Sequence, residues 1–474
     1  QTALWHENEQ DVFEKTQKGM VLWESLLRTT GGAIETSETK TDWVRIFFDW
    51  DKGKWKLKKK DDNIKMRVRN STGDEVVIKQ LEPTDARETL GVMQSADGNE
   101  TAQVTKMTSK IDKWTDNIWN SSITRSQVRI AIDATIGKTL DYPLPATALS
   151  ANECEHISKT FEKVALPKAG IIRTADKTMV RSPETIGGLG IKDTYTKQCS
   201  SHIQFLIDHG ASTTVTGQLI RVLGEGVLLE SGTGVNLFDI KPSQCSWLGH
   251  NWITNTLEML EHFNIELQND IPRLTKWRTN DAFLMDEICK GNWSSGELVQ
   301  INMVRQYMQV TTLSDICTYE GNTILKTTLS GDKHSSCSSS KYNWPRIPKP
   351  PKTFITMWSQ AIKRAFTSSR SRVKDQFVLK RWTSASRQLH QWWYHPHDNR
   401  VFKKIADNKW EIWTIAIIQG QRTRGKKRYK HNGTFITTLP EAELFPAETD
   451  QVNALCTLRS WYTIEPIACQ TDYD

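Results

Sequence analysis

No stretch of the 474-residue sequence reaches the roughly 18 consecutive apolar residues that span a bilayer. This excludes a membrane-spanning helix, and no membrane partner is expected. The first thirty residues alternate polar and apolar, so no secretory leader is expected either. Cysteine is sparse: the eight residues lie far apart, the closest pair being Cys456 and Cys469, and no CxxC occurs. Zinc ribbons, zinc knuckles and a dense disulfide framework are thereby disfavoured. The expectation is reduced thiols in an intracellular compartment, where triplets such as Asn70-Ser71-Thr72 are chance matches rather than glycosylation sites. The first residue is Gln1 rather than Met, which suggests a fragment or a processed piece.

What is present suffices for globular cores: 37% of residues are hydrophobic and 25% charged. At roughly 150 residues per domain the length suggests about three domains. Net charge is +7, but it is segregated. Residues 341–430 hold 22 Lys+Arg against 4 Asp+Glu, a net of +18, while the remainder carries a net of −11. Residues 441–474 hold seven acidic residues against Arg459 alone. One polyanion-binding segment followed by an acidic tail fits this pattern; a solvated basic surface is the plainer alternative. Nineteen Trp accompany the charge, and aromatics among Lys and Arg suit base stacking, although many must be core.

Hydrophobic spacing predicts the elements. Phe13, Thr16, Met20, Trp23 and Leu27 recur at three and four, giving a helix over 6–29 that Gly31-Gly32 ends. A strand is predicted at 42–50, a return strand at Trp55 and Leu57, a one-sided strand at Ile64, Met66 and Val68, and another at Val76–Ile78. Thr89–Met93 reads as a further short strand. The period then changes to 3.6: Val104, Met107, Ile111, Trp114 and Ile118 form one helix face, with Lys106, Lys110 and Lys113 on another. Helices are predicted at 124–140, at 151–164 behind an N-cap at Ser150, and at 194–209, 215–230, 244–263 and 296–310. Residues 330–352 are Ser-rich, then Pro-rich, and read as a partly extended linker. Helices at 354–367 and 377–391 precede β runs at 391–394, 401–405, 410–418 and 428–437, which suggest a small antiparallel sheet.

The ordered series of helix, Gly-Gly turn with a nearby lysine, strand, hairpin, Leu-Gly strand and helical region resembles the part of a reverse transcriptase palm that follows the catalytic Tyr-x-Asp-Asp turn. The matching residues are Trp23–Leu27 with Gly31-Gly32-Ala33-Ile34, then Lys40, then Leu90-Gly91-Val92. Gly187-Gly188-Leu189-Gly190-Ile191, followed by a helix, is similar to a turn in the thumb-side region of retroelement enzymes, and Asp133–Pro145 and Asn343-Trp344-Pro345 resemble the long C-terminal regions of retroelement polyproteins. The resemblance covers residues 1–330 and extends more loosely over 340–440. It implies RNA-templated DNA synthesis, with an RNA template and a DNA primer as partners. It also implies a further partner, the missing N-terminal fingers and palm portion of the same polyprotein. Leu90 and Gly91 would be the primer grip, Lys106, Lys110 and Lys113 a thumb stripe along the duplex, and Lys40 a general acid for the leaving pyrophosphate.

The family's Tyr-x-Asp-Asp is absent from this sequence. Asp61-Asp62 is the only Asp-Asp pair; it follows Lys58-Lys59-Lys60 and reads as a solvated turn. No cofactor is therefore expected in this chain. Mg²⁺ would belong with the missing catalytic part, since nucleotidyl transfer needs two metals held by aspartates. The family pattern also places the lysine nearer position 38, where this chain has Glu38.

Other motifs have plainer readings. Gly187–Ile191 is not GxGxxG and reads as a structural turn. His395-Pro396-His397-Asp398 lacks further zinc ligands beyond His390 and reads as a turn. Arg422, Arg424, Lys426, Lys427, Arg428 and Lys430 are the densest basic run, in a predicted loop. Phosphate contact with a nucleic acid is the preferred reading of this run; a localisation signal and a solubilising loop also fit.

The sequence thus predicts an α+β chain: a β-hairpin-rich palm remnant over 1–98, a mostly helical thumb and extension over 99–330, a Ser/Pro-rich linker over 331–352, a basic α+β module with an antiparallel sheet over 353–440, and an acidic tail over 441–474. A non-enzymatic nucleic-acid-binding protein is the alternative reading. An interaction scaffold whose basic module takes an acidic protein is the third.

Overall fold

The computed structural model describes residues 9–446 except 38–39, 52–53, 192, 269–270, 272, 319–320, 335, 370, 381–391, 396–399, 407–408, 419–425 and 437–444. It is a mixed α+β chain, mostly helical with small sheets. It divides into two compact units: residues 1–210 with 250–259, and residues 211–249 with 260–474. Among the described residues no helix is long and apolar enough to cross a membrane.

The first unit opens with α1 (Glu9–Thr29), followed by β1 (Asp42–Val44), β2 (Phe48–Asp51), β3 (Lys54–Leu57), β4 (Met66–Arg69), β5 (Glu75–Leu81), β6 (Arg87–Thr89) and β7 (Val92–Gln94). The strand expected over 42–50 is thus two strands: β1 runs parallel to β5, while β2 pairs with β3 in a separate ribbon. The main sheet has the order β1-β5-β4. Met66, Val68 and Ile78 are buried and share one face, as period-two alternation requires, while Arg67 and Arg69 are exposed.

α1 covers the free edge of β4 with side chains rather than with a strand. The Gln17 amide both donates to the Arg67 carbonyl at 2.7 Å and accepts from the Arg67 N–H at 2.9 Å. Seven residues on, Glu24 accepts from the Arg69 N–H at 3.1 Å, and Arg28 donates to the Asn70 carbonyl at 2.8 Å. An unpaired strand edge is otherwise a template for aggregation, and this ladder satisfies it. It also corrects the predicted helix face. Glu24 is the buried residue, whereas Trp23 is 59% exposed.

After β7 comes α2 (Thr101–Asn120), whose Met107, Ile111 and Ile118 are buried at the predicted spacing against the helix Ala151–Lys168. Burying each such side chain contributes roughly 1.5–3 kcal/mol. Ser150 caps the latter helix through a capping box with Glu153. The predicted helix over 124–140 is interrupted: Arg125–Ala131 and Lys138–Asp141 flank a π turn at Ile132–Gly137. Gly137 fits there because a Cβ would lie 2.9 Å from the Ile132 carbonyl and 3.3 Å from the Lys197 ammonium. The helix Thr194–His209 ends at Gly210 as predicted, and the start of the helix Trp252–Phe263 completes the unit.

In the second unit the helices Val215–Ser231, Ser295–Met308 and Lys352–Phe366 carry the core, with Trp358 and Phe366 fully buried. The helix expected over 244–263 begins only at Trp252, after a 3-10 turn at Pro242–Gln244. The Ser-rich part of the stretch expected as a linker is packed, whereas the Pro-rich residues 343–350 form no helix or strand. Ser338, in the short helix Cys337–Lys341, has no exposed surface; it donates to Asp315 at 2.6 Å and accepts from the Trp277 indole at 3.2 Å. Serine reads as linker by composition, but here its hydroxyl satisfies a buried carboxylate. The antiparallel sheet has the spatial order Lys426–Ile436, Lys409–Ile418, Arg400–Ala406, Trp392–His395, Phe445–Pro446. The predicted helix at 377–391 is a 3-10 turn at Asp375–Phe377; 378–380 are not helical, and 381–391 lie outside the described residues.

Candidate nucleic-acid interface

Thr89-Leu90-Gly91-Val92 is a hairpin turn rather than a continuous strand. Thr89 pairs with Val92, leaving Leu90 and Gly91 as the two loop residues, with φ of 50° and 88°. Turns with positive φ at both central positions match the twist of paired strands, and they favour Asn-Gly over Leu-Gly. Leucine in the left-handed region costs about 1–2 kcal/mol. Its side chain is also 85% exposed. Neither feature helps folding, and outliers of this kind cluster where a ligand is gripped. Gly91 is constrained in addition by Tyr142, whose Cε1 would lie 3.3 Å from an added Cβ.

The first turns of α2 lock this hairpin. The Lys106 ammonium donates to the Gly91 carbonyl at 2.7 Å and pairs with Glu88 at 2.8 Å. The buried Gln103 amide accepts from the Met93 N–H at 2.8 Å. On the other flank, Arg87 of the hairpin is ion-paired with Asp42 of β1. A cleft of about 1050 Å³ is lined among others by Phe13, Lys40, Trp43, Glu88, Leu90 and Met93. The Phe13 and Trp43 rings meet in its wall, centroids 6.5 Å apart.

The electrostatics converge on Glu88. The hydrogen bond from Lys106 and its charge hold the Glu88 carboxyl below its ordinary value, with further contributions from Lys110 and Lys40. Thus Lys106 is bonded to the Leu90-Gly91 turn and to Glu88, and the charges of Lys40 and Lys110 act on the same carboxylate. Lys113 stands exposed a turn further along α2. The lysine stripe is not uniform, however: Lys106 is 19% exposed and tied to the hairpin, so only Lys110 and Lys113 are open to solvent along α2.

The other sequence candidates lie elsewhere. Lys426, Lys427 and Arg428 belong to the second unit and stand on a strand, opposite Ile418, Ile417 and Ala416, not in a loop; Arg422 and Arg424 lie outside the described residues. Gly187 and Gly190 have positive φ, and a Cβ on Gly188 would lie 2.1 Å from the Ser182 carbonyl, so the glycines serve a tight turn. His395 ends a strand and 396–399 lie outside the described residues.

Asp61 and Asp62 do not fit a two-metal centre. Asp61 accepts from the Asn63 N–H and side-chain amide, both at 3.1 Å, and lies 3.8 Å from Arg45. Asp62 is 86% exposed and pairs with Lys60 at 3.4 Å. Among the described residues no group of three His, Cys, Asp or Glu side chains could hold a metal ion.

Sequence reading missed Glu88, Gln103 and Tyr142. Only Glu88 left a signal, as a carboxylate two residues before the Leu-Gly pair. Compared with protein-family models, with curated proteins and with solved structures, the chain matches none.

Proposed function

We propose that residues 9–120 bind a nucleic-acid primer-template in the manner of a reverse transcriptase palm–thumb junction, and that the chain lacks the catalytic aspartates of such a polymerase. The Leu90-Gly91 turn is the primer grip. The exposed Lys110 and Lys113 contact backbone phosphates of the duplex, and Lys40 joins them at the cleft rim. The observation that carries this reading is the Leu-Gly hairpin beside a cleft that Lys40 and Leu90 line, its turn tied to Lys106 of α2. Exposed Leu90 supplies an apolar contact for a sugar or base. Phosphate contacts of this kind position a duplex without reading its sequence.

The test is fluorescence anisotropy with a recessed primer-template, a blunt duplex and a single strand. The recessed substrate should bind most tightly. Gly91→Val, which forces a β-branched residue to positive φ, should weaken binding about tenfold while shifting the melting temperature by only a few degrees. Equal binding to all three substrates would favour a non-enzymatic nucleic-acid-binding protein. No binding to any of them would end both readings for this surface.

A further inference from the structure

We infer that Glu88 is an internal stand-in for a backbone phosphate, and that a phosphodiester of the bound strand displaces it from Lys106. The inference rests on the proposed nucleic-acid reading and deepens it, since it names the group that the hairpin takes.

Lys106 has three donors. One is spent on the Gly91 carbonyl at 2.7 Å, which fixes the ammonium against the hairpin. A second goes to Glu88 at 2.8 Å. The two contacts differ in kind. The first ties Lys106 into the turn; the second runs outward, to a carboxylate whose side chain is 56% exposed. Lys110 and Lys40, both exposed, act on the same carboxylate, as the lowered value of its carboxyl reflects. One ammonium in contact and two more acting through charge leave an excess of positive charge on one carboxylate. An anion with two free oxygens can accept from several of them at once, and a phosphodiester is such an anion.

It cannot simply add to the existing arrangement. A phosphate within reach of Lys106 lies against the Glu88 carboxylate, and like charges at about 4 Å repel even at high dielectric. Glu88 must therefore give up Lys106 when the strand arrives. The side chain is free to do so, because it stands on a short two-stranded hairpin, opposite Met93, and is largely in water. In the empty protein the carboxylate keeps Lys106 oriented. In the complex it has been exchanged for a phosphate one step from Leu90, which then meets the adjoining sugar.

The test is anisotropy with a recessed primer-template on the full chain and three variants. Glu88→Gln should tighten binding about two- to fivefold, because the competitor for Lys106 is lost. Glu75→Gln, which removes the same charge from an exposed pair with Arg67, should change it by less than about 1.5-fold. In a Lys106→Met background, Glu88→Gln should have no effect, since the competition is for that ammonium. Equal gains from Glu88→Gln and Glu75→Gln would overturn the inference in favour of general charge. Weaker binding by Glu88→Gln would overturn it in favour of a purely positioning carboxylate. Wild-type protein that binds no primer-template at all would instead bring down the parent reading and this one with it.

Discussion

Lys106 and Gly91 stand fifteen residues apart, on a helix and on the tip of a hairpin, and their 2.7 Å hydrogen bond joins the two elements. A charged donor on a carbonyl is worth about 1.5–3 kcal/mol. Lys106→Met should lower the stability of the first unit by about that amount and speed amide exchange at residues 88–94 more than in α2. Unchanged exchange across the hairpin would mean that the turn stands without the lysine.

His202 provides a pH test. Its ring has no exposed surface, contacts the Thr147 carbonyl and the Thr256 hydroxyl at 2.8 Å each, and stacks on Trp252 with centroids 4.3 Å apart. Burial pushes its pKa from 6.5 down to about 4, against the opposing effect of the backbone carbonyls. The unfolded imidazole therefore takes a proton first. The contribution of the neutral ring is fully present above pH 6.5 and is lost as pH falls towards 4, by up to about 3 kcal/mol. Urea midpoints at pH 7, 5.5 and 4 should show this fall, with a smaller one for His202→Gln. The same pH dependence in both proteins would contradict the assignment, as would a ring resonance that titrates near 6.5.

Gly232 ends the helix Val215–Ser231 at φ 64°, and a Cβ there would lie 2.5 Å from the Arg305 guanidinium carbon. Arg305 is fully buried and donates to the Leu229 and Glu230 carbonyls at that helix end. Gly232→Ala should cost about 2–4 kcal/mol by straining the cap and displacing the clamp. A melting temperature within a degree of wild type would refute this.

For the basic segment, neutralising Arg422, Arg424, Lys426, Lys427 and Arg428 together should reduce the log–log salt slope of binding by about two to four in magnitude. All sequences should weaken alike. An unchanged slope would make the run a solubilising or targeting segment.

Much of the helical framework was legible because its signals are local. Met107, Ile111 and Ile118 repeat at helical spacing, Ser150 stands three residues before Glu153, and Gly210 follows a long amphipathic run. What escaped depends on partners distant in sequence. Glu24 is buried because the edge of β4 offers it an N–H, which no apolar pattern records. Ser338 looks like linker until Asp315 is beside it. At the candidate site, Leu90 and Gly91 could be picked out in advance as a pair, but not the exposure of Leu90 or its positive φ. The lysine stripe was visible as a face, whereas the diversion of Lys106 to the hairpin was not, since it needs the fold to bring Gly91 and Glu88 alongside.

The most direct test places a photocrosslinking benzoyl group at position 90, where 85% exposure lets the replacement be tolerated. Irradiation should join this residue to the last few nucleotides of the primer strand of a recessed primer-template, and excess unlabelled primer-template should compete the product away. Crosslinks scattered along both strands, or none under conditions where the protein binds, would contradict the primer-grip reading.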